Sequence, residues 1–228
     1  MSRLSMLAFI LSALMLIITS VCLGAGEILF QEDFEAEDFD EDKWIPDETW
    51  SIVDGVLDIA NDSGGWPVGY TVKNDFTDFE FSADFKMSGG TCSSFVLRAQ
   101  NDTEYNMVQF CRPNDNTVWW HTFAGGDYIV DQIPIESDLI PEAEVWYSVK
   151  FVVEGDLFTL YAGERGEELE LANSWQNDSY ASGSIGFWTC CGEHIQYDNV
   201  LVTTIGFSLS VSPECALSTT WGSMKLCQ

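Results

Sequence analysis

The sequence predicts an all-β protein, an antiparallel two-sheet sandwich of the jelly-roll type. Two distant segments, LFQEDFEAEDF (residues 29–39) and GSIGFWTCCGEHIQYDNVLV (residues 183–202), have the composition of strands. We expect them to be the first and last strands of one closed sandwich, which makes the chain between them a single domain. Between them, apolar and polar residues alternate with period two, and Gly-containing turns separate the alternating segments. The N-terminal apolar run, which precedes this interval, lacks the alternation.

The segment FEFSADFKM (residues 79–87) shows the alternation most clearly. Every second residue from Phe79 to Met87 is apolar, and the residues between them are polar. Successive side chains of a strand point to opposite faces of the sheet. The segment therefore predicts a strand with one buried face and one solvated face.

Two turns fix the register of the strands beside them. A two-residue turn at Asp54-Gly55 brings four apolar side chains to one face, and a turn at Gly155-Asp156 does the same for six. The expected pairs are Ile52 with Leu57, Trp50 with Ile59, Val153 with Phe158, Phe151 with Leu160, and Val149 with Ala162. A slip of one residue would scatter each set over both faces.

A third turn, at Asn101-Asp102, separates a polar face from an apolar one. Its register pairs Phe95 with Val108 on the apolar face. On the opposite face the expected pairs are Arg98 with Tyr105, Ser94 with Gln109, and Cys92 with Cys111. Cys92 and Cys111 would then be close enough for a disulfide if their pair is of the non-hydrogen-bonded kind.

Cysteine usage favours disulfides over metal ligation. Removal of Cys22 with the leader leaves six cysteines, and the chain has only two histidines, neither at a zinc-ligand spacing from them. The alternative to the Cys92–Cys111 bond is that each cysteine pairs elsewhere, for example with Cys190 or Cys191. Cys215 and Cys227 would then close the tail on itself.

The N-terminus predicts export. Ser2 and Arg3 precede an apolar run and then the small-residue stretch TSVCLGAG, which is the layout of a signal peptide over residues 1–24. Cys22 offers an alternative, a lipoprotein signal, although the residues before it fit a lipobox poorly. We expect a domain over residues 27–204 and a tail over residues 205–228 that is either disordered or a sorting signal, with no membrane span in the mature chain.

The net charge narrows the range of partners. The chain carries 37 acidic and 9 basic residues, a net charge of −28. Such a surface repels nucleic-acid phosphates and anionic membranes, so neither is expected as a partner. The charge suits a protein that stays soluble outside the cell, secreted or on the surface of a bacterium.

The order of segments resembles the concanavalin A-like lectin/glucanase superfamily. The resemblance rests on FQEDFE, TWSIVDGVLDI, FEFSADFKM, SSFVLRAQNDTEYNMVQF, WYSVKFVVEGDLFTLYAG, GSIGFWT and IQYDNVLV, and covers about residues 27–204. Within that superfamily the chain is most similar to laminin-G-like domains and to the bacterial 3-keto-disaccharide hydrolase domain. The resemblance implies two bent sheets, of which the concave one binds sugars in lectins and glucanases.

The expected sugar-binding residues lie on the polar face of the third hairpin. Arg98, Tyr105 and Gln109 share that face, and the resemblance implies polar residues at positions 98 and 109. Sugar rings pack their C–H faces on aromatic rings. In Trp119-Trp120-His121 one tryptophan must face inward and the other outward, and we take Trp120 as the outward one. The alternative is an ordinary solvated face with Arg98 paired to a carboxylate.

Catalysis has weaker support in the sequence. Glucanases of the superfamily carry their two carboxylates in an ExDxxE arrangement on one strand, and this chain has no such motif. Three functions therefore stay open. The first is a carbohydrate-binding module for a polysaccharide or glycan. The second is a glycoside hydrolase for modified (3-keto) disaccharides or polysaccharides, and the third is a laminin-G-type protein-interaction domain.

Calcium is the expected cofactor, if there is one. In related jelly-roll sugar-binding domains a structural calcium often lies where the first and last strands meet. Glu32, Glu35 and Asp198 would supply the carboxylate oxygens that a hard cation prefers. The alternative is that these acidic residues are merely exposed.

Overall fold

The strands of the protein form a two-layer sandwich. The computed structural model describes residues 26–62, 64–89, 92–111, 117–137, 139, 141–190 and 192–207, and this part of the chain has no helix. Its strands are β1 (Ile28–Glu32), β2 (Trp44–Ile45), β3 (Trp50–Val53), β4 (Val56–Ala60), β5 (Val68–Thr71), β6 (Phe79–Gly89), β7 (Cys92–Asn101), β8 (Glu104–Cys111), β9 (Thr117–Ala124), β10 (Asp127–Glu136), β11 (Trp146–Glu154), β12 (Leu157–Glu164), β13 (Glu170–Gln176), β14 (Ser184–Trp188) and β15 (His194–Thr203). The predicted signal peptide, Cys22, Cys215 and Cys227 lie outside the described residues.

Two antiparallel sheets make up the sandwich, as predicted. The eight-stranded sheet has the order β13-β12-β11-β6-β15-β4-β3, with β1 also paired to β15. The seven-stranded sheet has the order β10-β9-β8-β7-β14-β5-β2. No helix of the described residues is long and apolar enough to cross a membrane.

The first and last strands are neighbours, which confirms the expected closure. One edge of β15 pairs with β6, and the other edge pairs first with β4 and then with β1. Phe30 lies opposite Val202, and Glu32 lies opposite Val200. The last strand therefore lies in the interior of the eight-stranded sheet, and the first strand pairs with it.

The first two predicted hairpins have the expected registers. Ile52 pairs with Leu57 and Trp50 with Ile59 across the Asp54-Gly55 turn. The β11–β12 pairs also match, including Val153 with Phe158. Both residues of the first turn have positive φ, 53° at Asp54 and 77° at Gly55. This backbone suits a type I′ hairpin.

The third hairpin has the predicted register only in the part far from its turn. The register runs as expected from Cys92–Cys111 to Leu97–Asn106, and then shifts so that Asn101 pairs with Glu104. The turn therefore lies at Asp102-Thr103, and the predicted Asn101-Asp102 turn and Arg98–Tyr105 pair are wrong. The cause is a bulge at Arg98, whose φ is 53°.

Aromatic side chains fill the space between the sheets. Phe95 from the seven-stranded sheet contacts Phe81, Phe85 and Phe151 from the other sheet, with ring centroids 5.3–6.2 Å apart. Gly69 lies against the Trp50 ring, where a Cβ would come within 2.4 Å of the indole. Packing at this density leaves no room for larger residues at such contacts.

Candidate functional site

The outer face of the seven-stranded sheet carries a second apolar cluster. The residues of β7, β8, β9 and β14 that alternate with core residues collect there instead of facing water. We call this set the outer-face cluster; its buried members are Val68, Val96, Ala99, Tyr105, Met107, Phe123, Trp188 and Cys190, with Tyr70 and Tyr128 packed against them. These members are buried, so the cluster can meet a ligand only through the partly exposed residues packed at its rim.

Trp66 extends this cluster toward solvent. It lies in the loop before β5, and its ring is 49% exposed. The indole contacts Tyr128 at 5.7 Å, Phe123 at 6.0 Å and Trp188 at 6.5 Å between ring centroids. The exposed part of this ring offers a flat apolar surface to a ligand.

His121 is the most unusual polar residue on this face. It lies on β9 opposite Met107 and is only 1% exposed. Neither ring nitrogen has a hydrogen-bond partner among the described residues. Burial lowers the pKa of His121 to about 4, so the imidazole is neutral at pH 7. A neutral imidazole has one donor and one acceptor to offer, and buried polar groups left unsatisfied often belong to functional sites.

Ser94 and Gln109 share the outer face with His121, on the strands β7 and β8. The register places Ser94 opposite Gln109, and Gln109 opposite Trp119 on β9. Ser94 is fully buried, and its hydroxyl has no partner within the described part of the chain. Trp119 and Gln109 are partly buried. The outer face thus combines aromatic rings with a short row of uncharged polar groups.

Tyr105 and Gln109, two of the predicted ligand-binding residues, both lie on this face. The Tyr105 ring stacks on Phe123 with centroids 4.7 Å apart and is 2% exposed. Burial raises the pKa of its hydroxyl above the ordinary value. Tyr105 therefore supports the cluster from below, while Gln109 is open to solvent in part.

Arg98 does not face outward, so its predicted position on this face is wrong. The bulge turns its guanidinium into the end of the sandwich, where it lies 5.2 Å from the Phe158 ring centroid of the other sheet. It donates hydrogen bonds to the carbonyl oxygens of Thr77 and Tyr180. Arg98 is 2% exposed. It is a structural bridge between loops.

Trp120 faces inward, contrary to the prediction. Its indole is fully buried, lies 5.2 Å from Trp175 between centroids, and donates to Asn173 Oδ1 at 3.1 Å. The alternation that buries Trp120 places Trp119 and His121 on the outer face. The residue type was suitable, but the strand faces were assigned the wrong way round.

Glu193 is a buried carboxyl near the edge of the cluster. Its Oε2 accepts hydrogen bonds from Cys190 N at 3.0 Å and from Thr189 Oγ1 at 3.2 Å, and the side chain is 2% exposed. Burial raises the pKa of Glu193 to about 7, although these hydrogen bonds oppose the effect. The carboxyl thereby ties together Thr189 and Cys190 in the loop between β14 and β15.

Two of the three predicted calcium ligands have cationic partners. Glu32 Oε2 lies 3.1 Å from Lys43 Nζ, and Asp198 Oδ2 lies 3.3 Å from Arg165 Nη2. Glu35 is exposed near the Asp54-Gly55 turn. No group of three or more acidic, His or Cys side chains suited to a metal occurs among the described residues. Calcium binding here stays a prediction.

The register places Cys92 opposite Cys111, as predicted. The Cys111 side chain lies outside the described part of the chain. The disulfide between them therefore stays a prediction.

Sequence reasoning missed His121 and Glu193 as site residues. His121 could have been found from the alternation of β9, because an inward Trp120 requires an outward His121. Glu193 had no such signal, because no pattern in the neighbouring sequence predicts that a loop carboxyl is buried.

Comparisons with solved structures give the fold. The chain is similar to carbohydrate binding module CBM66 from Bacillus subtilis, with a TM-score of 0.59 and 17% identity over 71% of this chain and 96% of that one. It is also similar to winged bean acidic lectin complexed with methyl-alpha-D-galactose, with a TM-score of 0.57 and 10% identity over 78% and 98%. A prokaryotic beta-1,3-1,4-glucanase from a mouse hindgut metagenome gives a TM-score of 0.53 and 12% identity over 76% and 97%.

Sequence comparison gives the family. No curated protein sequence matches the chain. The family model of the 3-keto-alpha-glucoside-1,2-lyase-like domain matches residues 29–203, which spans β1 to β15. The chain therefore belongs to the 3-keto-alpha-glucoside-1,2-lyase-like domain family.

Proposed function

We propose that the protein binds carbohydrate on the outer face of its seven-stranded sheet. The observation that carries this proposal is the half-exposed Trp66 ring, held against Phe123, Tyr128 and Trp188. Sugar rings present apolar C–H faces that pack on an indole of this kind. Stacking alone gives little selectivity, so polar groups nearby are also required.

Gln109 is partly exposed and supplies one such group, and the buried His121 and Ser94 lie on the same face of the strands β9 and β7. A sugar hydroxyl both donates and accepts, which matches a neutral imidazole, a hydroxyl and an amide. The fold likeness to a carbohydrate binding module and to a galactoside-bound lectin supports the same ligand class.

We also infer that binding takes place outside the cell. The apolar leader and the even cysteine count of the exported chain support that location. The net charge of the full chain, −28, favours solubility and disfavours contact with anionic surfaces.

A glycan array tests the proposal, supplemented with a β-1,3-1,4-glucan and a galactan. The exported domain should bind at least one glycan, and Trp66→Ala should weaken that binding without changing the circular dichroism spectrum. Absence of binding across the array, or full binding by Trp66→Ala, would contradict the proposal.

A lyase or hydrolase for 3-keto-glycosides is the second candidate. The family match supports it, and Glu193 is the observation that favours it. A buried carboxyl whose pKa is raised to about 7 is suited to proton transfer at neutral pH.

In a 1,2-elimination the C2 proton, acidified by the neighbouring C3 carbonyl, leaves to a base. Its electron pair forms the C1–C2 double bond as the glycosidic oxygen departs from C1 with a proton.

Release of p-nitrophenol from a p-nitrophenyl 3-keto-α-glucoside separates the two candidates. An enzyme should release it with the wild-type protein and lose most of the rate in Glu193→Gln. Glycan binding without any release favours the binding module.

A further inference from the structure

His121 is hidden although it lies on an outer face. It is 1% exposed, while its neighbour on the same strand face, Trp119, is partly exposed. Both of its ring nitrogens lack partners among the described residues. A histidine that serves only to fill space would be replaceable by an apolar residue at no cost in hydrogen bonds. Its polar atoms are therefore unsatisfied within the described residues, and a bound ligand is one partner that would satisfy them.

Tyr128 lies over this histidine. The two ring centroids are 5.2 Å apart with an interplanar angle of 53°, and Tyr128 also contacts Phe123 at 4.3 Å. Tyr128 lies at the start of β10, which is the edge strand of its sheet. The pairing of β10 with β9 shifts register directly after it, between Tyr128 and Val130. An edge position at an irregular pairing is the part of a sheet that moves most easily.

Trp66 also contacts Tyr128, with ring centroids 5.7 Å apart. Its loop contains Gly64 and Gly65, both with positive φ of 81° and 85°, and a Cβ at either would meet nothing within 4 Å. The loop thus has open space around it. We call Trp66 and Tyr128 the aromatic cover.

We propose that His121 is the hydrogen-bonding residue that fixes the sugar in this site, and that the aromatic cover shields it until a ligand displaces Tyr128. This inference rests on the proposed function. The ligand chemistry is that of uncharged sugar hydroxyls, one of which accepts from the protonated ring nitrogen while another donates to the unprotonated one. Trp66 then stacks on the same sugar ring.

The rate of carbethoxylation by diethylpyrocarbonate measures how accessible the His121 imidazole is, and needs no ligand. The chain has two histidines, and His194, whose side chain is 42% exposed, is the internal reference. In the wild type His121 should react at least about tenfold more slowly than His194, because reaction requires a local opening. Tyr128→Ala should bring the His121 rate close to that of His194, and Tyr128→Phe, which keeps the ring, should leave it slow. Peptide mass spectrometry reports both sites at once.

Two results would contradict the claim that the aromatic cover shields His121. One is a His121 rate in the wild type that equals the His194 rate. The other is an equal His121 rate in Tyr128→Ala and Tyr128→Phe when both variants have the wild-type circular dichroism spectrum.

Glycan binding tests the role of His121 itself. On the glycan that the wild type binds best, His121→Ala should lose about tenfold or more in affinity, since it removes both hydrogen bonds. Trp146→Ala on the opposite sheet should lose nothing. Unchanged affinity in His121→Ala would overturn the role. If the wild type binds no glycan, the proposed function fails, whereas the carbethoxylation rates still decide whether the cover exists.

Discussion

Replacement of Glu193 by glutamine should change how stability depends on pH. In the folded protein burial raises the pKa of this carboxyl to about 7 from an ordinary value of 4.5. The folded state therefore holds the proton between these two pH values while the unfolded state releases it. Stability contributed by this group is full below pH 4.5 and is lost as the pH rises to about 7. Glutamine keeps the shape and cannot ionise.

The magnitude follows from the two pKa values. One pKa unit corresponds to about 1.4 kcal/mol, so the rise from 4.5 to about 7 amounts to about 3 kcal/mol in the free energy of unfolding. Glu193→Gln should match the wild type at pH 4.5 and exceed it by about that amount at pH 8. His121 acts with the opposite sign, because burial lowers its pKa to about 4 and stability rises with pH up to 6.5. Because Glu193→Gln and the wild type both contain His121, its contribution cancels in the difference between their free energies of unfolding.

Urea unfolding from pH 4.5 to 8, followed by tryptophan fluorescence, is the assay. Glu37→Gln, at an exposed position, is the control for the same change of charge on the surface. Its difference from the wild type should stay small at every pH. Parallel stability curves for Glu193→Gln and the wild type would refute the burial of an ionisable carboxyl at this position.

Three further predictions concern the framework of the site. Arg98→Met should lower the free energy of unfolding by about 2–4 kcal/mol in urea titrations, because the carbonyl oxygens of Thr77 and Tyr180 lose their buried donor. An unchanged free energy of unfolding would indicate that Arg98 is exposed. Gly69→Ala should destabilise by about 1–3 kcal/mol, because its Cβ would overlap the Trp50 ring, and Trp50→Phe should relieve part of that cost in a double-mutant cycle; additive effects would contradict the contact. Non-reducing peptide mapping of the secreted protein should find Cys92 linked to Cys111, and a Cys92–Cys190 link would contradict this pairing.

The sequence predicted the scaffold better than the site. Hairpin registers at Asp54-Gly55 and Gly155-Asp156 were predictable because the turn chemistry and the apolar face agree. The bulge at Arg98 was not, since a left-handed backbone at arginine is unusual and nothing local requires it. Because of this bulge, Arg98, which was predicted to bind the ligand, lies in the interior.

The faces of β9 were ambiguous for a different reason. Both faces of the seven-stranded sheet are closed to solvent along β7, where residues 93–99 are all buried. Alternation then separates two faces without saying which one meets the other sheet. Trp119 and Trp120 are equivalent at that level, and only packing against Trp175 shows that Trp120 faces inward.

Isothermal titration with the best array glycan tests the central claim most directly. The comparison is between Trp66→Ala, on the outer face of the seven-stranded sheet, and Trp146→Ala, whose ring lies between Lys86 and Arg165 on the outer face of the other sheet. An aromatic contact contributes about 1–1.5 kcal/mol, so Trp66→Ala should bind about tenfold more weakly than the wild type. Trp146→Ala should bind as the wild type does. Loss of affinity in Trp146→Ala, with Trp66→Ala unaffected, would place the ligand on the opposite sheet and contradict the account.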